Sequence, residues 1–282
     1  TDEKVWYKAN PSLGITVDIE KVRAACNDAK NNPADENTFR QLRLNQWVKQ
    51  STRWMPMAIW DECDEVVDPE LLRGRECYGG LDLSSTLDLT AFVLCFPPRN
   101  ENEKYIFLCW FWIPKENMHQ RVKKDKVPYD IWEARKFLKT TEGNVVDYRV
   151  IERDILEIAS FYVVKEIAYD RYNATQIILN LQDEGLTMIP FGQGFRDMSP
   201  PSKEFLTHVM KKNIIHNNNP VLRWNFDNVL IKTDAAGNIK PDKEKSTEKI
   251  DGAVSTIMAF DRAMRNSKKT ESVYNKRGIV AI

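Results

Sequence analysis

Three β-rich runs follow one another between Cys77 and Ile113, and strand-like and helical stretches alternate after residue 149. This order constrains the fold more than any other feature of the chain. Tyr78 to Leu83, Thr90 to Phe96 and Tyr105 to Ile113 carry the branched and aromatic content of buried strands. The last two are joined by Pro97-Pro98-Arg99-Asn100-Glu101-Asn102, so the three predict an antiparallel meander. Helical patterning covers 115–139 and 149–162, followed by a strand at 163–169 and a helix at 173–184 whose Asn173 and Gln176 match a variant capping box. A strand at 186–191, a helix at 201–212 and a strand at 220–224 come next. A polar hairpin around Asp234-Ala235-Ala236-Gly237-Asn238 and a final helix over about 250–266 complete the series. Alternation after a meander implies an α/β fold, with a mixed sheet flanked by helices.

The first 75 residues differ in texture. Thr16-Val17-Asp18 caps a predicted helix from Ile19 to Lys30, and Ala34 to Trp47 reads as a second one, separated from the first by Pro33. Trp47, Trp54 and Trp60 suggest a small helical layer whose indoles pack on a neighbour. The expected division is therefore a mainly helical segment at 1–75, an α/β domain at 76–266 and a basic tail at 267–282.

Within this frame three aspartates occupy costly places. Asp82 and Asp170 end apolar strand-like runs, and Asp251 opens an apolar helix, one turn from Val254, Ser255 and Met258. A carboxylate there is expensive to desolvate unless something pairs with it. Singly, each has a structural explanation: a turn at Asp82, and a favourable helix N-terminus at Asp170 and Asp251. Taken together, strand ends are where open α/β sheets collect ligands. Three converging carboxylates suit a hard divalent cation, and such a site suggests phosphoryl-transfer chemistry on nucleic acid. Without the cation their mutual repulsion should raise at least one carboxyl pKa.

Other chemistries find no support. No Gly-Lys dipeptide occurs, so a phosphate-cradling loop of the form G-x-x-x-x-G-K-[ST] is missing, and this chain alone should not hydrolyse ATP. No Gly-x-Ser-x-Gly elbow is present. Five cysteines and three scattered histidines argue against a zinc site and read as a reduced, cytosolic pattern. No apolar run approaches the roughly 20 residues that span a bilayer. The balance of 41 basic and 41 acidic residues means that any nucleic-acid contact must come from local patches. The candidates are Arg121 to Lys126, Lys203 with Lys211 and Lys212, Lys240 to Lys249, and Arg262 to Arg277.

The residues around the aspartates resemble a known family. Gly80-Leu81-Asp82-Leu83-Ser84-Ser85-Thr86-Leu87-Asp88 looks like the first nuclease motif of the large terminase subunits of tailed bacteriophages. Tyr169-Asp170-Arg171-Tyr172-Asn173 resembles their second motif, and Lys249-Ile250-Asp251-Gly252-Ala253-Val254 their third. Phe191-Gly192-Gln193-Gly194 and Asn219-Pro220-Val221-Leu222-Arg223-Trp224 add to the likeness, and Trp6-Tyr7-Lys8-Ala9-Asn10-Pro11 resembles the end of the family's ATPase half.

The resemblance implies a ribonuclease H-like fold and a two-metal endonuclease using Mg2+ or Mn2+, which cuts concatemeric double-stranded DNA. It implies Asp82, Asp170 and Asp251 as catalytic metal ligands, with Asp88 as a further acid in the family's place for one. Implied partners are DNA, a small terminase subunit, and the portal and procapsid, in the host cytoplasm and without a membrane. The alternatives are another ribonuclease H-like nuclease, such as a junction resolvase or transposase core, and a non-catalytic docking module.

Overall fold

The computed structural model describes residues 2–31, 33–46, 54–83, 89–116, 118–171, 175–246 and 248–270. Trp47, Asp88 and Asn173 lie outside them. The chain opens with helices α1 (Glu3–Ala9), α2 (Ile19–Asn31) and α3 (Pro33–Leu44). Asp2 and Asp18 start the first two by accepting the otherwise orphaned N–H groups of Lys4 and Glu20. Trp6, Leu13, Val22, Cys26 and Phe39 form a small core of their own, with Trp6 edge-on to Phe39 at 6.2 Å.

Helix α4 (Met57–Asp61) belongs elsewhere. Trp54, Met55, Met57, Trp60 and Cys63 enter the main core, and the Trp60 ring lies 4.4 Å from both Phe226 and a stacked His216. Trp54 and Trp60 thus pack on a neighbouring layer, as the sequence suggests. Their burial at 2% and 0% exposure contributes on the order of 2–3 kcal/mol each.

The meander is as expected: β1 (Glu76–Asp82), β2 (Thr90–Phe96) and β3 (Tyr105–Pro114) pair antiparallel. The region expected to be one helical stretch over 115–139 holds two short helices, α5 (Met118–Asp125) and α6 (Tyr129–Ala134). Pro128 separates them, because a proline lacks the N–H that would continue the first. Strand β4 (Lys139–Thr141) follows and pairs parallel with the end of β3. Helix α7 (Tyr148–Phe161), β5 (Val163–Asp170), α8 (Thr175–Asp183) and β6 (Met188–Phe191) supply the alternation. β5 lies parallel to β1, and β6 lies parallel to β5.

Helix α9 (Phe195–Met210) begins six residues before the expected 201. Pro200 and Pro201 sit in its second turn, so the residues on the N-terminal side of the proline pair, outside the expected helix, are helical. Strand β7 (Ile214–Ile215) pairs parallel with Tyr105 and Ile106 of β3. The strand expected at 220–224 is instead helix α10 (Pro220–Asn228). Asn219 caps it by accepting the Val221 and Leu222 N–H groups at 3.0 Å each, and Pro220 takes the first position, where its missing N–H costs nothing. Val221, Leu222, Asn225, Phe226 and Asn228 are its buried residues, a helical spacing rather than an alternating one. Strands β8 (Ile231–Thr233) and β9 (Ile239–Pro241) form the polar hairpin, and α11 (Asp251–Thr270) ends the described chain.

The main sheet runs β4-β3-β2-β1-β5-β6, with β7 beside β4 on the outer edge of β3. Its residues divide between two apolar clusters, one shared with α9, α10 and α11 and the other with α7 and α8. Helix α11 presses on β1 so closely that a Cβ at Gly80 would lie 2.0 Å from the Ser255 carbonyl oxygen. The Ser255 hydroxyl also donates to the Ala91 carbonyl of β2 at 3.1 Å. Ala253, Val254, Ile257, Met258 and Phe260 of α11 are all buried.

Candidate active site

Adjacency of β1 and β5 decides where the first two aspartates stand. The strands are parallel and Leu81 pairs with Tyr169, so the next residues, Asp82 and Asp170, emerge from the same edge of the sheet. Asp251 reaches that edge from the first position of α11. Gly252, next to it, has the Phe111 ring and Asn225 where a Cβ would be, and its N–H donates to the Asn225 side-chain oxygen at 2.8 Å. The glycine therefore lets the helix start close against β3 and α10.

Asp82 is 2% exposed. The charge that faces it is Lys243, whose Nζ donates to Asp82 Oδ2 at 2.6 Å and lies 3.4 Å from Asp251 Oδ1. Lys243 follows the hairpin on a turn built around buried Asp242, which accepts the Glu244 and Lys245 N–H groups. Burial pushes the Asp82 carboxyl up; Lys243 opposes this and Asp170 adds to it. Burial would lower the Lys243 ammonium, but Asp82, Asp251 and Asp170 together hold it raised. Repulsion among the carboxylates is thus present, yet it ranks behind burial and is offset by a built-in cation. Asp170 takes part in the electrostatics of both partners.

Gln193 completes the near surroundings. It follows β6, and its amide lies close enough to favour ionised Asp82, although Nε2 is buried without a hydrogen-bonded partner. Its carbonyl accepts from Lys240 at 3.3 Å, and Lys203 Nζ donates to the Gly237 carbonyl at 2.8 Å, which ties the hairpin to α9. Two basic candidates are committed internally. Arg262 pairs with Glu166 at 2.6 Å and Arg265 with Asp261 at 2.7 Å.

The structure thus brings Asp82, Asp170 and Asp251 to one edge, while Asp88 falls outside the described residues. Lys243 and Gln193 were not singled out in the sequence. Lys243 is one of several lysines in a basic stretch, and Gln193 one polar residue in a glycine-rich loop. Neither has a spacing signal that ties it to an aspartate.

Among the described residues no three Asp, Glu, His or Cys side chains are grouped tightly enough to hold an ion as they stand. The donor chemistry nevertheless fits a divalent metal. The groups are hard carboxylate oxygens, and an ammonium already lies between two of them, a cation in the place where a metal would bind. Among the described residues no helix is long and apolar enough to cross a membrane.

Residues 1–267 match the family described as terminase large subunit, endonuclease domain. The chain is 34% identical over 268 residues to the terminase large subunit of Enterobacteria phage HK97, covering 94% of this chain and 52% of that protein. It is 30% identical over 279 residues to protein YmfN of Escherichia coli K12, covering 95% and 61%. The crystal structure of the HK97 bacteriophage large terminase superposes with a TM-score of 0.69 at 34% identity, over 93% of this chain and 54% of that one. The chain therefore spans between half and two thirds of the length of these relatives. Its mixed sheet flanked by helices is the ribonuclease H-like fold of terminase nucleases. By the extent of these matches, the chain belongs to the terminase large-subunit endonuclease-domain family.

Proposed function

We propose that this chain is a metal-dependent endonuclease that cuts concatemeric double-stranded viral DNA during genome packaging. The observation that carries the reading is Lys243 seated between Asp82 and Asp251 at the edge where Asp170 also emerges. Three acids from three elements around one cation form an arrangement suited to binding positive charge. Asp82, Asp170 and Asp251 would hold two Mg2+ or Mn2+ ions, with Asp88 as a further ligand. Bound there, such ions supply an activated water and a stabilised leaving oxygen for phosphodiester hydrolysis.

The chain's own residues do the rest. Buried Asp82 is held in orientation by β1 and by the Lys243 ammonium, which donates to its Oδ2 at 2.6 Å. Lys243, which now holds Asp82 and Asp251 through its ammonium, would be the cation at this edge placed to meet a DNA phosphate. The hairpin β8–β9, with Lys240 beside Gln193, flanks the approach to the site. Double-stranded DNA, a small terminase subunit, and the portal and procapsid are the proposed partners, in the host cytoplasm. The proposed domain division is the one given above, with 76–266 as the nuclease domain and Trp54 to Cys63 of the preceding segment packed into its core.

Plasmid cleavage with Mg2+ or Mn2+, by the parent and by Asp170→Asn, tests this. Metal-dependent nicking or linearisation that the variant lacks is expected. Equal cleavage by the two proteins, or cleavage in excess chelator, would overturn the reading.

A further inference from the structure

A groove at the other end of β1 carries chemistry that the catalytic edge does not use. β1 runs from Glu76 to Asp82, so the groove beside Glu76 lies roughly 20 Å from the carboxylates. It encloses about 610 Å³, and its lining includes Arg73, Arg75, Glu76, Tyr78, Pro97 and Arg99. Three arginines therefore border one concavity, between the chain entering β1 and the chain leaving β2.

Arg75 is the inner member, its side chain 11% exposed. Its Nη2 donates to the Pro97 carbonyl at 2.6 Å and to Glu103 at 2.9 Å, but its Nε is buried without a partner. A guanidinium has five N–H donors, so this arginine keeps one that the chain itself does not satisfy. Arg73 lies over the Phe161 ring at 4.3 Å and pairs with Glu70, and Arg99 pairs with Glu103. Glu76 is taken by Lys165 at 2.7 Å. The arginines are thus fixed by carboxylates behind and beside them, and a rigid guanidinium fork of this kind suits phosphoryl oxygens.

We propose that this groove binds a small phosphate ester or oligophosphate, through Arg73, Arg75 and Arg99. A compact phosphate fits the concavity. A longer polyanion would extend over Glu76, whose carboxylate lines the same groove. This site is separate from the catalytic reading and does not depend on it.

The test is calorimetric titration of the 282-residue chain with inorganic pyrophosphate in chelator, which removes metal-bridged binding at the catalytic edge. Saturable binding with one site per chain is expected, weakened at least tenfold by the double substitution Arg73→Ala, Arg99→Ala and unchanged by Asp170→Asn. Both arginines are exposed pairs, so the double variant keeps its fold, and circular dichroism checks this. Arg75→Lys, which keeps charge but loses the fork, should weaken binding severalfold. A short DNA duplex in the same cell should not compete with pyrophosphate. No binding, binding that survives the double substitution, or duplex DNA binding in place of pyrophosphate would each overturn the proposal.

Discussion

Two buried aspartates, one ending a strand of the sheet and one on a helix that packs against it, meet opposite fates. Asp154, on α7, accepts from the Trp112 indole at 3.0 Å, Lys139 at 2.8 Å and Arg153 at 3.1 Å. Burial works against its charge, yet these three donors hold its carboxyl below the usual range. Asp82 has Lys243 and an amide that does not complete a hydrogen bond, and its carboxyl is held above that range. Equal burial therefore does not mean equal purpose. A carboxylate surrounded by donors is fastened into the fold, while one left short of them is ready to exchange its partner.

The comparison can be broken at several points. The largest effect should come from Asp170→Asn, which we expect to lower cleavage by on the order of 10³-fold, since metal ligation supplies several kcal/mol. The melting temperature in chelator should barely move. Asp154→Ala should do the reverse. It strands the buried Trp112 N–H and should cost about 2 kcal/mol in a denaturant melt, with cleavage per folded molecule preserved. If Asp154→Ala instead removed cleavage without loss of stability, the division between the two acids would fail.

Lys243→Met should sharpen the picture on the catalytic side. Removing the ammonium leaves the carboxylates to repel one another, so the metal-free protein should melt lower. Less Mn2+, by roughly tenfold (about 1.4 kcal/mol), should then half-saturate the stabilisation, because no internal cation competes. A higher metal requirement would show that Lys243 supports metal binding rather than standing in for it.

The smallest effect concerns pH. Asp154 has a lowered folded pKa, so its contribution is present above the unfolded value of about 3.9 and lost as pH falls through the lower folded value. Asp82 has a raised one, so stability from its protonated form is present below about 3.9 and lost as pH rises through the folded value. In chelator, Asp154→Asn should flatten the acid limb of a melting curve against pH. Asp82→Asn should remove the opposing slope and stay within about 1 kcal/mol of the parent, since it loses both a buried charge and a partner for Lys243. A melt far below the parent would make Asp82 a structural residue. Added metal should stabilise the parent and not Asp82→Asn.

Much of this was legible in the sequence, for reasons that differ from residue to residue. The meander was readable because its strands are long and buried on both faces, and Asp82 and Asp170 because a charge ends each apolar run. Asn219-Pro220 contained a helix start that the short apolar run after it concealed. Strands β4 and β7 have three and two residues, too short to show a period. Lys243 could not be found at all from local pattern. Its role comes from a contact 161 residues away from Asp82, made by the fold and not by the neighbouring residues.

Gly80 has a mechanical consequence. The backbone of α11 rests on β1 where a side chain would normally stand, with the Ser255 oxygen 2.0 Å from the vacant Cβ position. The helix that carries Asp251 is therefore seated directly on the strand that carries Asp82, like a beam in a notch. A methyl group at position 80 would lift that beam, and Asp251, at its end, would be carried away from the other two acids. The gap across which the carboxylates share a cation is thus set two residues before Asp82, by a carbon atom that glycine does not have.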